Sequence, residues 1–220
     1  MSADSQETAR ARRLPPLYYL HNFRLALATL RERYVGLLSA SETGFIEQFD
    51  RLPEPAQCLL TRLAMRKGAL FRRATLHYVE VPEPDKALRE LATLGWLDPD
   101  PWLSAQELLC VLSSEELRAA VGIRRRRRAC VGRRADTQAQ LTLPLEAQPT
   151  IRRSLGDWNA SLAGSVVHLC AEPLTQRLQH LFFGNHYQSW AQFVLADLGL
   201  TRYESVAMDA SEGVSQPRGD

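Results

Sequence analysis

Lysine is almost missing from this chain. Only Lys67 and Lys86 are lysine, and the other 25 of its 27 basic residues are arginine. GC-rich coding inflates arginine everywhere, so the total carries no function by itself, although arginine is the cation that meets phosphate in a planar, two-point contact. No apolar run approaches the roughly 18 residues that a membrane span needs. Residues 1–13 lack the apolar stretch of a secretory signal, and the two absences predict a cytoplasmic protein with no membrane partner. Cys58, Cys110, Cys130 and Cys170 fall at no zinc-site spacing, and His21, His77, His168, His180 and His186 do not complete one. The cysteines read as thiols in or near the core of a protein in a reducing compartment. A zinc-protease HxxEH, a glycine-rich phosphate loop and a credible Cys/His pair are absent too. No cofactor is expected in this chain.

What is present is helical periodicity. After Pro15 and Pro16, the residues Leu17, Leu20, Phe23, Leu27, Leu30 and Tyr34 recur every three or four positions, a stripe down one helix face. Ser39 or Ser41 with Glu42 signals the next helix start, with Phe45, Ile46 and Phe49 on its buried side. Pro53 and Pro55 mark a third helix over 56–66 that buries Leu59, Leu60, Leu63 and Met65, and Gly68 suits a left-handed ending. Residues 69–73 and 76–81 are strand-like and read as a pair. A helix over 84–94 then ends in a tight Leu-Gly-Trp-Leu turn. Helix, helix, paired strands, helix, turn is the order of a winged-helix-like unit.

Beyond Asp98, Pro99, Asp100 and Pro101 the pattern changes. Ser104 with Glu107, and Ser113 with Glu116, are two capping boxes in tandem, each ahead of leucines. They predict a small helical module followed by a basic loop. Residues 124–157 are poor in apolar side chains and read as loop or linker with at most one weak element. Val166, Val167 and Leu169 predict a short strand. Leu174, Leu178, Leu181 and Phe182 predict a helix, and Trp190, Phe193, Val194, Leu195 and Leu198 a last one ending at Gly199. The predicted organisation is therefore 1–14 disordered, 15–101 winged-helix-like, 102–157 helical module with basic loop, 158–205 the start of a further helical segment, and 206–220 a disordered tail. The fold class is mainly α with a small β-wing.

Four stretches carry a resemblance to the bacterial Fanconi-associated nuclease family. They are Tyr-Tyr-Leu-His-Asn-Phe at 18–23, Arg-Leu-Ala-Met-Arg-Lys-Gly-Ala-Leu-Phe-Arg at 62–72 and Leu-Gly-Trp at 94–96. The fourth is Leu-Phe-Phe-Gly-Asn at 181–185, with Trp190 and Phe-Val-Leu-Ala-Asp-Leu-Gly at 193–199. The resemblance implies a winged-helix-like unit and a SAP-like helical module that bind flap, nicked or branched DNA in DNA repair. It also implies helical repeats and a metal-dependent VRR-type nuclease domain, for which this sequence has no counterpart. That nuclease chemistry needs acid-x-Lys, and the residues two before the lysines are Met65 and Pro84. Catalytic and metal residues are thus expected to be none, and Mg or Mn would belong to the missing domain. The expected function is DNA binding without cutting. Two rivals stand beside it: an active phosphodiesterase of the family's kind, and a truncated gene product with no function of its own. Whether a separate chain supplies a nuclease is open.

Two sets of cations are the candidate DNA contacts. Arg62, Arg66, Lys67, Arg72 and Arg73 converge within twelve residues. They read either as a phosphate-contacting edge or as cations that favour a helix C-terminus through its dipole. Arg124, Arg125, Arg126, Arg127, Arg128, Arg133 and Arg134, with Arg118, make eight arginines between Leu117 and Ala135 without one acid. A run this dense repels itself until an anion neutralises it; a frame-disturbed or drifting stretch is the competing reading. Trp96, Trp158, Phe182, Phe183, Trp190 and Phe193 have helical spacing and read as core rather than as a base-stacking platform. His180 and His186 read as ordinary histidines.

Overall fold

The computed structural model describes residues 17–113, 115–117, 152–185 and 187–197, the last four of these for the backbone alone. Local chemistry sets where its helices begin. Helix α1 (Tyr18–Arg33) follows Leu17 and buries Leu20, Phe23, Ala26, Leu27 and Leu30 along one face. Helix α2 (Ala40–Arg51) starts at Ser39, whose hydroxyl accepts the Glu42 N–H while the Glu42 carboxylate accepts the Ser39 N–H at 2.7 Å. Each bond satisfies a backbone donor that a helix start otherwise leaves orphaned. Helix α3 (Glu54–Ala64) has proline in its first turn, where no N–H is needed, and Gly68 beyond it takes φ +82. Helix α4 (Pro84–Thr93) ends as Gly95 turns left-handed, φ +70, and lets Trp96 N–H return to Leu91 O at 3.0 Å.

Strand β1 (Leu70–Arg72) does not pair with 76–81. That expectation is corrected. Arg73–Thr75 turns as a 3-10 helix, and 76–81 carries only an isolated bridge between Tyr78 and Val81. The partner of β1 is β5 (Val166–Leu169), antiparallel, with Phe71 opposite Val167. On its other edge β5 pairs with β2 (Leu97–Asp98), Leu97 opposite Leu169. The small sheet is therefore ordered β1-β5-β2, and its middle strand arrives from far along the chain.

Alternation along β5 joins two cores, because successive side chains leave opposite faces of a strand. Val167 and Leu169 enter the larger cluster with Phe23, Phe45, Phe49, Leu60, Phe71, Leu91, Leu97 and Trp190. Val166 enters the smaller one, with Leu103, Leu108, Leu112, Leu117, Leu155 and Leu162. That second cluster is built by β3 (Leu103–Ser104), α5 (Ala105–Val111), β4 (Arg152–Arg153) and the short α6 (Leu155–Trp158). Both predicted capping boxes are present: Ser104 with Glu107, and Ser113 with Glu116. The end of the stretch 124–157 holds two elements where at most one weak one was expected: β4, with Arg153 opposite Leu103 and Arg152 opposite Ser104, and the helix Leu155–Trp158.

Helices α7 (Glu172–Phe183) and α8 (Trp190–Asp197) close the larger core. Gly184 at φ +66 ends α7, and the Asn185 side chain accepts the N–H groups of Tyr187 and Gln188 at 3.0 Å each. Trp190 is buried, its ring 5.0 Å from that of Phe23 and its indole N–H bonded to Thr175 O at 3.2 Å. Two cysteine expectations are corrected: Cys58 is buried, but Cys110 and Cys170 are exposed, and Cys130 lies outside the described residues. No helix among the described residues is long and apolar enough to cross a membrane. The disordered ends expected at 1–14 and 206–220 lie outside the described residues.

Candidate nucleic-acid interface

The turn from α3 into β1 carries five of the cations singled out above, and the structure divides them. Arg62, in the last turn of α3, points back into the fold. Its Nε and Nη2 donate to one Glu80 oxygen at 2.9 and 2.7 Å, and its guanidinium carbon sits 4.0 Å from the Tyr19 ring centre. The Tyr19 hydroxyl donates to the same oxygen at 2.6 Å. Burial alone would raise the Glu80 carboxyl; the bonds from Tyr19, its own backbone and Arg62, with the charge of Arg62, outweigh that and hold it below the usual carboxylate range. Burial, with the nearby Cys58 and Glu80, pushes the Tyr19 phenol far above its ordinary value, so it stays protonated and donating.

Arg72 and Arg73 are paired too. Arg72 reaches Glu116, the acid of the second capping box, and so ties β1 to the smaller core. That follows from register: Arg72 lies opposite Val166 and shares its face of the sheet. Glu116 is pulled below the ordinary range against its own burial by Ser113 and Arg72. Arg73 bonds Asp85 through Nε and Nη2 at 3.2 and 2.7 Å, and Asp85 is lowered by it.

Arg66 and Lys67 differ. Both are exposed, and neither has an acidic partner among the described residues. Arg66 rests its guanidinium carbon 5.0 Å from the Phe71 ring centre and reaches the Tyr78 hydroxyl at 3.5 Å. Gly68 then reverses the chain, which holds Arg66 and Lys67 outward between helix and strand. Exposed guanidinium and ammonium groups without an acidic partner suit contact with a phosphate backbone.

Arg124, Arg125, Arg126, Arg127, Arg128, Arg133 and Arg134 lie outside the described residues. The described residues stop at Leu117 on one side of them and resume at Arg152 on the other. Arg152 and Arg153, on exposed β4, were not singled out from the sequence. Arg152 bonds Trp102 O and Glu107, at 3.0 Å for the acid, and Arg153 lies over the Trp158 ring. Nothing in the sequence joined them to the basic run, which ends at Arg134 with Asp136 and Glu146 in between. Glu80 was missed as well, since nothing local marks an acid 18 residues after Arg62 as its partner.

The aromatic residues are packing groups. Phe182, Phe183 and Phe193 form edge and tilted contacts around Trp190, and Trp96 packs on Phe45 at 4.4 Å. Trp158 is half-buried against the smaller core, its indole bonded to Leu103 O at 3.1 Å. His186 lies outside the described residues. Among the described residues no three His, Cys, Asp or Glu side chains form a group that could hold a metal ion.

Comparison with known proteins places this arrangement. The family model described as "FAN1, HTH domain" matches residues 17–98. The chain is 42% identical to a Fanconi-associated nuclease 1 homolog of Pseudomonas aeruginosa over 208 residues, 93% of this chain and 36% of that protein. A homolog of the same name from rice is 29% identical over 211 residues, 92% of this chain and 22% of the relative. Among solved structures, paFAN1 bound to 2-nt 5′ flap DNA with a gap is 41% identical, with a TM-score of 0.75 over 87% of this chain and 34% of that one. The same protein on 1-nt 5′ flap DNA with a gap gives 0.74 over 89% and 35%. The chain thus spans about a third of the length of its bacterial relative. The resemblance read from the four motifs holds, and it covers nearly the whole of this sequence.

Proposed function

We propose that this chain, related over nearly all its length to the Fanconi-associated nucleases, is their DNA-binding region and grips interrupted duplex DNA for repair. The observation that carries the reading is the fold shared with a 41% identical protein crystallised on gapped 5′ flap DNA. The exposed pair Arg66 and Lys67 supplies contacts to phosphate, which carry affinity without reading sequence. Arg124–Arg128, Arg133 and Arg134 add to the same electrostatic term. Arg62, Arg72 and Arg73 act by holding the edge in shape, since their charges are already met by Glu80, Glu116 and Asp85.

The chain binds but does not cut. No acid stands two residues before either lysine, so the metal-holding and proton-handling set of a nuclease of this kind is not within these 220 residues. Mg or Mn belongs to such a domain and is not required for binding here. The site of action is the cytoplasm, where bacterial DNA is.

An electrophoretic shift with a gapped 5′ flap and a matched continuous duplex tests the reading. The folded chain retains the flap at low salt and releases it as salt rises. No retention at low salt by folded protein overturns the proposal. Cleaved product above background with Mn²⁺ overturns the separation of binding from cutting.

A further inference from the structure

Residues 78–81 form a tight turn with a bare valine, Val79, at its tip. Val81 N–H returns to Tyr78 O at 3.0 Å, and the two residues share an isolated bridge. Val79 and Glu80 are thus the central pair of the turn. They point opposite ways. Glu80 faces in and accepts from Tyr19 and from both Arg62 donors, while Val79 is 99% exposed. Leu76 and Val81, buried on either side, pin the turn at both ends. The tip is therefore held still by an ion pair, a phenol and two core side chains. Its outermost group is apolar and touches nothing.

The surroundings of that tip are cationic. Arg66 reaches the Tyr78 hydroxyl at 3.5 Å, Arg62 lies 5.3 Å from the Tyr78 ring centre, and Lys67 follows Arg66. A single exposed valine is ordinary on a protein surface. A rigid one next in sequence to Tyr78, whose hydroxyl Arg66 reaches, has the form of an apolar wedge with a phosphate-contacting cation near it, and proteins use apolar wedges against base steps.

We propose that Val79 packs against the terminal base pair exposed where a duplex is interrupted, with Arg66 and Lys67 on the adjoining phosphates. This rests on the DNA-binding reading above and deepens it. Cations hold any duplex, whereas an apolar tip finds a base-pair face only where stacking stops, at a gap or at an open duplex end. The turn therefore supplies preference for interrupted over continuous DNA. Arg62 and Glu80 serve as positioning residues that aim it.

The test compares the whole chain with Val79→Ala on a gapped 5′ flap and on a continuous duplex of equal length and salt, with the open ends of both closed by hairpin loops. Thermal melting of the variant matches the parent, because the lost methyl groups touch no other residue. Affinity for the gapped flap falls about tenfold, as expected for two apolar carbons no longer buried, while affinity for continuous duplex is unchanged. An unchanged ratio between the two DNAs, with both bound, overturns the wedge and leaves DNA binding standing. Failure of the parent chain to bind either DNA removes both readings. A loss equal on the two DNAs also overturns the wedge, since it places Val79 in the general phosphate-binding surface.

Discussion

Arg62 donates twice to a single oxygen of Glu80, at 2.9 and 2.7 Å, across 18 residues of chain. The pair sits where α3 meets the 78–81 turn, with Glu80 only 17% exposed and Arg62 36%. Arg62, one of the five cations of the α3–β1 cluster, is therefore mostly spent on the fold. A guanidinium that already meets a partly buried carboxylate has little left for a phosphate.

Replacing Arg62 by alanine strips Glu80 of its charge partner and leaves Tyr19 as its side-chain donor. Stability falls by about 1–3 kcal/mol, below the figure for a fully buried pair because the site is partly solvated. A urea denaturation midpoint reads this. Lysine at 62 restores only part of the loss, since it lacks the two-donor fork.

Arg66→Gln with Lys67→Gln has the opposite signature. The melting temperature stays within error, as both side chains are exposed and neither has an ion-pair partner among the described residues. The plot of log affinity for DNA against log salt loses about two of its slope units, roughly one per phosphate contact removed. An unchanged slope would exclude these two residues from the interface.

Acid should unfold this protein through a small set of glutamates. Glu42, Glu80, Glu107 and Glu116 are each held below the ordinary value of 4.5 by hydrogen bonds and arginines that outweigh their burial. Their folded values lie under the unfolded one, so the stabilisation is fully present above the ordinary value. It is lost as pH falls through the depressed values. Melting temperature is expected to be flat from about pH 7 to about pH 5 and to drop below about pH 4.5. Glu80→Gln and Glu42→Gln should each shrink that drop.

Val167 and Trp190 should be indispensable to the region 17–98 despite lying outside it. Both belong to its core, Val167 opposite Phe71 and Trp190 against Phe23. Trp190→Ala is expected to cost about 3–5 kcal/mol, the range for a large aromatic removed from a core. A fragment of residues 1–113 is expected to melt without a cooperative transition by circular dichroism. A sharp transition in that fragment would show the first region folding by itself.

Most helix starts were readable because the signal and its effect lie within four residues. Ser39 with Glu42, Ser104 with Glu107 and Ser113 with Glu116 each close a ring of bonds inside one turn. Gly68 and Gly95 are equally local, as left-handed backbone strains a residue with a Cβ. The candidate site was half legible. Charge density pointed to the α3–β1 turn, yet the sequence holds no mark that separates paired from free arginines within it.

Sequence alone determined most of the helices, their caps and turns, and a family kinship carried by short ordered motifs, because each depends on a few neighbouring side chains. Tertiary structure alone decided that β1 lies beside β5 rather than the residues just after it. It also decided that Arg62, Arg72 and Arg73 are consumed by Glu80, Glu116 and Asp85 while Arg66 and Lys67 stay free to meet an anion. Pairing of strands and of charges is settled by which faces bury together, and that comparison runs over the whole chain at once.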